Sequence, residues 1–407
     1  MILQSKNKTT LKNKLLILYT LSLLLFTITG CTLNKKNSNT IEQPSELITI
    51  QQPKIEDYEL SLFAVGDTLI HDAVYYDAQT SETGEDGYPI YDFKPMFTEI
   101  AQLVQHHDLS FYNQETIIGG KNLGLSNYPR FNSPDEIGLN MIELGFNIVN
   151  LATNHVLDKD LEGLQYSANF WEKQEQAKDI YITGSYTSQE KRDNTKIAEK
   201  NGIKYAVLAY TYGTNGLPVP EGYEYLVNLW TVYGDDKYEA YKEQVTKDIQ
   251  AVRDKVDVLI VSMHWGNEYV YEPSWYQQDA AQFLSEQGVD IIIGTHPHVI
   301  EPVEYVGNTL VIYSLGNLVS AQIEENTRVG MMVSLDINKH VVDGKSTIKI
   351  DNVKADLTWT YHQGYRKFKV IPFYNLNDNL LNNYQEIYEK YKKIINPKND
   401  TRIQVGF

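Results

Sequence analysis

Between Glu59 and Gly294 short apolar runs alternate with stretches of helical spacing, and this restricts the fold more than any other feature of the 407 residues. Runs such as "LSLFAVGD", "LSFYN", "FNIVNL", "IKYAVLAYTY", "DVLIVSMHW" and "VDIIIG" have strand length. "PMFTEIAQLVQHH", Asp160–Gln176, 237–254 and 275–287 have helical period. Strands separated by helices of this length make β-α-β units, an α/β fold. "SPDEIGLNMIELG" carries its own helix punctuation: Ser133 as N-cap, Pro134 at the first position, Asp135 and Glu136 in the first turn, and Gly145 past the end. After Pro302 the pattern turns to strands with little helix between them, "NTLVIYSL", "GMMVSLDI", "KSTIKIDNV" and "RKFKVIPF". These predict a largely antiparallel, strand-rich completion of the same fold, closed by a polar helix from Asp378 to Lys393. No repeat of fixed period occurs, which excludes a solenoid.

The first thirty residues are of another kind. Lysines at 6, 8, 12 and 14 precede an apolar run, Leu15 to Ile28, shorter than the usual membrane span, and then Thr29-Gly30-Cys31. "ITGC" resembles the bacterial lipoprotein box, in which the Cys thiol takes a diacylglyceryl group before cleavage on its amino side. An uncleaved anchor and an ordinary secretory signal are the alternatives. Cys31 is the sole cysteine, so an internal disulfide is excluded. The expected organisation is a signal peptide and lipidated Cys31 over 1–31, a polar tether over 32–57, a main domain over 58–320 and its completion over 321–407. The mature chain is expected on the outer face of the cell membrane, held there by lipid. Removing residues 1–30, which hold four lysines and no acid, takes the net charge from −17 to −21. A surface this acidic excludes nucleic acid as a partner, and an anionic substrate would have to be met by a local cation.

Residues able to bind metal recur where strands stop. Asp67 ends the first strand, with His71 after it; Asn113 and Glu115 end the next; Asn154, His155 and Asp158 follow "FNIVNL"; His264 and Glu268 follow "VLIVSM"; His296 and His298 follow "DIIIG". In an open α/β sheet the ligand crevice lies beyond the carboxyl ends of the strands, so these scattered residues converge. Imidazole with Asp, Glu and Asn oxygens, and no thiolate, suits a divalent zinc, iron or manganese ion. In "HPH" the proline stiffens the backbone, and in extended chain residues i and i+2 point the same way, which would turn both histidines to one ion. Singly each feature has a plain reading: a satisfied polar group at His71 or His264, a turn at Gly66-Asp67, a helix cap at Asn154-His155. "YSLGN", Tyr313 to Asn317, is equally an ordinary strand exit. Their order along one α/β pattern carries the inference.

The set "GDTLIHD", "NQE", "RFNSPDEIGLNMIELGFNIVNLATNHVLD", "SMHWGNEY", "GTHPHVIEPVE" and "YSLGN", over roughly residues 60–320, resembles the CapA family of poly-γ-glutamate capsule biosynthesis proteins, itself similar to the calcineurin-like metallophosphatases. The resemblance implies a metallophosphatase-like multilayer sandwich, central β-sheets flanked by helices. It also implies metal ligands at Asp67, Glu115, Asn154, His264, His296 and His298, a catalytic His155 with Asp158, and supporting roles for His71, Asn113, Glu268, Glu304 and Asn317. The sequence departs from the wider phosphatase pattern in two places. Leu69 stands where a histidine is usual, and Asn113-Gln114-Glu115 replaces the second aspartate motif; both bear on a second metal more than on the first.

Two functions follow. One is a metal-dependent, phosphoesterase-like hydrolase acting on an anionic envelope polymer or phosphoester in capsule production or export. The other is a non-catalytic subunit that binds a polyanion and hands it to membrane synthase or export partners. A solute-binding lipoprotein fits the anchor but not the histidines.

Overall fold

The computed structural model describes residues 53–231 and 234–407. The expected signal segment, the lipidation site Cys31 and most of the tether lie outside the described residues. Among these residues the strands are β1 (Ile55–Thr68), β2 (Gln79–Thr83), β3 (Pro89–Tyr91), β4 (Leu109–Asn113), β5 (Ile148–Asn150), β6 (Tyr181–Thr183), β7 (Ala198–Lys200), β8 (Ile203–Thr211) and β9 (Val258–His264). They continue as β10 (Ile291–Thr295), β11 (Val303–Val306), β12 (Thr309–Ile312), β13 (Asn317–Val319), β14 (Val329–Val342), β15 (Lys345–Gln363), β16 (Arg366–Pro372) and β17 (Ile403–Val405).

Two mixed sheets result. The first runs β16-β15-β14-β1-β4-β5-β6, with β13 also on β1 and β17 on β15; the second runs β11-β12-β10-β9-β8-β7. β1, β4, β5 and β6 are mutually parallel, as are β8, β9, β10 and β12. The late strands β14, β15 and β16 are antiparallel and attach to β1, whereas β11 and β12 join the second sheet. β1 starts at Ile55, inside the stretch expected as tether, because Ile55 pairs with Val342 at the far end of β14.

Period-two burial makes the layers. On β1, Leu60, Leu62 and Ala64 face a core shared with Val207, Ile260, Ile291 and Ile293 of the second sheet. Phe63 and Val65 face the opposite way, onto Ile137, Met141 and Trp171 of the helices Glu136–Leu144 and Asp160–Ala177. Ile292 similarly faces Val245 and Ile249 of helix Tyr238–Val252 and Ala281 and Leu284 of helix Trp275–Glu286. Helix, sheet, sheet, helix is the expected metallophosphatase-like sandwich. It also explains the three consecutive isoleucines: Ile291, Ile292 and Ile293 are fully buried on a strand covered on both faces, each contributing about 1.5–3 kcal/mol.

Local punctuation is less faithful to the sequence. Ser133 does not cap a helix; its hydroxyl bonds Thr116 Oγ1 at 2.7 Å, and the helix starts at Glu136. Gly145 does end it, at φ 114°. "PMFTEIAQLVQHH" splits into a 3-10 turn, Lys94–Phe97, and a short helix, Ala101–His106, and the last helix spans Tyr384–Ile395. Two glycines let the sheet ends close on each other: a Cβ would lie 1.9 Å from Gly316 O at Gly66 and 1.9 Å from Tyr313 O at Gly294. No described helix is long and apolar enough to cross a membrane.

Helix Trp275–Glu286 opens with a capping box between Ser274 and Gln277. Gln277 Nε2 also donates to the buried Glu301 carboxylate at 2.6 Å. Burial raises Glu301 from 4.5 to about 8, against the opposing Gln277 bond. The folded carboxyl therefore keeps its proton up to about pH 8, whereas the unfolded one loses it near 4.5. The native state is unaffected below that lower value and loses stability as pH rises toward the upper one, by about 1.4 kcal/mol per pH unit. Glu301→Gln should gain on wild type between pH 5 and 8, measured by urea unfolding. Parallel pH profiles for the two proteins would contradict this.

Candidate metal centre

The carboxyl ends of β1, β4, β5, β8, β9 and β10 meet at one end of the sandwich, as the Cα register Asp67↔Asn113↔Asn150 and Thr211↔His264↔Thr295 shows. Residues far apart in sequence are thereby brought side by side. Glu115, His296 and His298 each present a donor atom within 4.8 Å of the others, and all three are buried. Both Glu115 carboxylate oxygens and His296 Nδ1 are buried without a hydrogen-bond partner. Unsatisfied buried polar atoms of this kind normally cost about 1–3 kcal/mol each, and a cation is the partner their chemistry fits.

His298 is oriented by its other nitrogen. Nδ1 lies 3.1 Å from Asp67 Oδ2 and 3.0 Å from Asn317 Oδ1, so Nε2 faces Glu115 Oε1 at 3.5 Å. Asp67 thus holds a ligand in place, as metal sites commonly require. Asn113 Nδ2 in turn donates to Asp67 Oδ1 at 2.8 Å, and Asn150 Nδ2 to Asn113 Oδ1 at 2.7 Å. Asn154 Oδ1 and His264 Nε2 lie 2.9 Å apart and bond each other, so in this arrangement neither is free for an ion; His264 Nε2 stands 3.9 Å from Glu115. Burial pushes His264 and His296 well below their usual pKa, leaving neutral imidazoles. Burial and then Asp67 push Glu115 well up. His298 goes the other way: burial would depress it, but Glu115 and Asp67 outweigh that and raise it to about 9.

The two histidines come together by a route the sequence did not suggest. His296 and His298 both have positive φ, 99° and 58°, so "HPH" is not extended. The turn still brings the two rings to 5.9 Å between centroids. Such φ values cost on the order of 1–3 kcal/mol each for a side chain with a Cβ, and His296 is pinned by its N–H, 3.3 Å from Asp67 Oδ2.

Beside this group, His155 Nδ1 donates to Asp158 Oδ2 at 2.7 Å, and the Phe131 N–H donates to the same oxygen at 2.7 Å. Asp158 fixes the imidazole so that Nε2 is the free nitrogen. Phe131 packs edge-on to His155 at 4.8 Å and to His71 at 5.3 Å. His71 is thus one ring removed from the cluster, its Nδ1 3.3 Å from the Ala321 N–H. Glu268 is exposed at the rim beside Tyr269. Glu304 turns elsewhere: it accepts from Tyr313 OH at 3.1 Å and pairs with Lys398. Sequence reasoning passed over Tyr212, whose ring lies 4.5 Å from His296, and Asn215, 3.1 Å from Asn154. Both follow β8, whose carboxyl end was neglected because it carries no imidazole or carboxylate; the strand-end rule alone would have found them.

The family model described as bacterial capsule synthesis protein PGA_cap matches residues 61–322. Similar proteins include "PGA biosynthesis protein CapA" of Bacillus subtilis, 30% identical over 199 residues (49% of each chain), and "Capsule biosynthesis protein CapA" of Bacillus anthracis, 27% identical over 182 residues (44% of this chain, 41% of that one). "Uncharacterized protein y4sH" of Sinorhizobium fredii is 22% identical over 321 residues, 63% of this chain and 65% of its own. The chain spans about half the length of the two CapA relatives or less.

If Glu115, His296 and His298 hold an ion, a divalent metal at a hundredfold excess over its dissociation constant should stabilise the fold by about 2.7 kcal/mol. The readout is a melting temperature that rises with Mn, Fe or Zn and falls again with chelator. Glu115→Gln should abolish the rise. No shift in wild type with any of the three metals would remove the site.

Proposed function

The chain belongs to the PGA_cap family of bacterial capsule synthesis proteins, and from that membership and the site we propose a metal-dependent hydrolase-like enzyme acting on an anionic polymer or phosphoester in capsule or cell-envelope biosynthesis. The observation that carries this is the buried Glu115–His296–His298 group with unpartnered donor atoms, set beside the His155–Asp158 pair. Imidazole with carboxylate and no thiolate favours Mn, Fe or Zn. When bound, such an ion supplies Lewis acidity, neutralising charge on substrate oxygens and activating water.

The chain's own residues then have distinct tasks. Glu115, His296 and His298 hold the ion, and Asp67 and Asn317 fix His298 from behind. His155 Nε2 gives a proton to the departing oxygen or nitrogen, while Asp158 keeps Nδ1–H occupied so that the correct nitrogen faces the substrate. Asn154 and His264, whose Nε2 stands 3.9 Å from Glu115, would become available to the ion or the substrate once their mutual bond opens. Tyr212 and Tyr269 flank the imidazoles and narrow the access of water.

Elemental analysis combined with turnover tests the reading. Wild type should retain metal and cleave a phosphoester or a γ-glutamyl amide. His155→Ala should keep the metal and lose about 100- to 10,000-fold in rate, whereas His298→Ala should lose both. A wild-type protein that holds metal and binds polymer without cleaving any substrate favours the second reading, a polyanion-binding subunit; one that takes up no metal ends the first.

The proposal includes a place of action, lipid-anchored on the outer face of the membrane, supported by the "ITGC" stretch at Cys31. Acyl labelling of the full chain in its host should depend on Cys31 and vanish in Cys31→Ser, and label surviving that change would count against the anchor.

A further inference from the structure

A cavity of about 500 Å³ adjoins the centre on the His71 side, lined by His71, Asp72, Tyr76, Asn127, Tyr365 and Arg366 among others. It is one ring from the candidate proton donor, since Phe131 packs on both His71 and His155. The chain has 53 acidic against 36 basic side chains, so a cation without an acid partner is informative. Arg130, Arg192, Arg253 and Arg402 each pair with an aspartate. Among the described residues Arg328 and Arg366 have no such partner. The Arg328 guanidinium carbon lies 4.2 Å from the centroid of the Trp359 ring, and its Nε–H donates to Thr360 O. Arg366 donates Nη1–H to Tyr76 O at 2.8 Å, which fixes the guanidinium on the cavity wall. Its other donors have no protein acceptor among the described residues. The acid on the wall, Asp72, turns Oδ1 to the Ala73 N–H at 2.7 Å. Asn127 Oδ1 is buried in the wall without a donor.

We propose that this cavity is a substrate subsite for a carboxylate-bearing amide chain, with Arg366 taking a carboxylate and Asn127 accepting an amide N–H next to the bond presented to the metal centre. It rests on the reading of that centre as acting on an anionic chain. A planar guanidinium fixed by one backbone carbonyl is pre-organised for a carboxylate. Asn127 needs a donor, which an amide supplies and a phosphodiester or an uncharged polyester does not. The rings of Tyr76 and Tyr365 offer apolar faces to the methylenes between amide and carboxylate. The subsite thus selects for charge and linkage together, and it does so one ring from His155.

Titration calorimetry of the full chain, metal-loaded, with γ-linked tetraglutamate and with the same tetramer carrying primary amides in place of its pendant carboxylates is the test. Wild type should bind the carboxylate form about tenfold more tightly. Arg366→Gln should lose most of that preference, Arg366→Lys should recover part of it, and Arg328→Gln should leave it unchanged. Asn127→Ala should weaken both tetramers alike. An Arg366→Gln protein with the full preference overturns the subsite, as does a wild type with no preference. Metal content of the same samples separates the two claims: retained metal with no Arg366 effect removes the subsite alone, and absent metal removes the centre.

Discussion

One buried carboxylate, Asp67, ties the two sheets together at the end where the site lies. It sits at the end of β1 in the first sheet with no exposure to solvent. Its oxygens reach Asn113 on β4 and, across the core, the His296 N–H and His298 Nδ1 that follow β10 of the second sheet. A charge removed from water this completely is tolerated only when its lone pairs are taken up, so the two sheets must be in register before Asp67 is satisfied. Gly66 and Gly294 make that register possible, since each lies where a side chain would meet the carbonyl of a neighbouring strand. The site is consequently a product of the whole sandwich and of no single motif.

The order of the elements was legible because each strand is covered on both faces or one, and burial writes a period into the sequence: Ile291–Ile293 as a continuous run, Leu60–Val65 as alternation. The turn at "HPH" was not legible. Positive φ at His296 and His298 is set by the pull of Asp67 and the passage of β10 into the loop, which no local preference of histidine signals. Ser133 reads as a helix cap by every local rule, yet a nearer hydroxyl, Thr116, claims it. Glu304 lies within the same short stretch as the histidines but on the edge strand β11, where Tyr313 and Lys398 draw it away. Proximity in sequence misleads when a turn intervenes.

The electrostatics of the centre suit a cage for positive charge. Glu115 is buried beside Asp67 and driven toward protonation, while His298 between them is driven to hold a proton. Even so, the Glu115 oxygens and His296 Nδ1 stay without hydrogen-bond partners. A divalent ion would give these atoms the partner they lack. Neutral His296, with its Nδ1 unpartnered, is already in a form able to take a metal.

Backbone strain and charge then point to the same conclusion. A histidine at φ 99° is held in a conformation it would leave if released, and what holds it is a carboxylate that also orients a second histidine. Loss of Asp67 would free both rings together, so its effect on metal affinity should exceed that of removing either ring's own support. A residue that orients two rings at once can in this way govern the centre more strongly than one that holds a single ring.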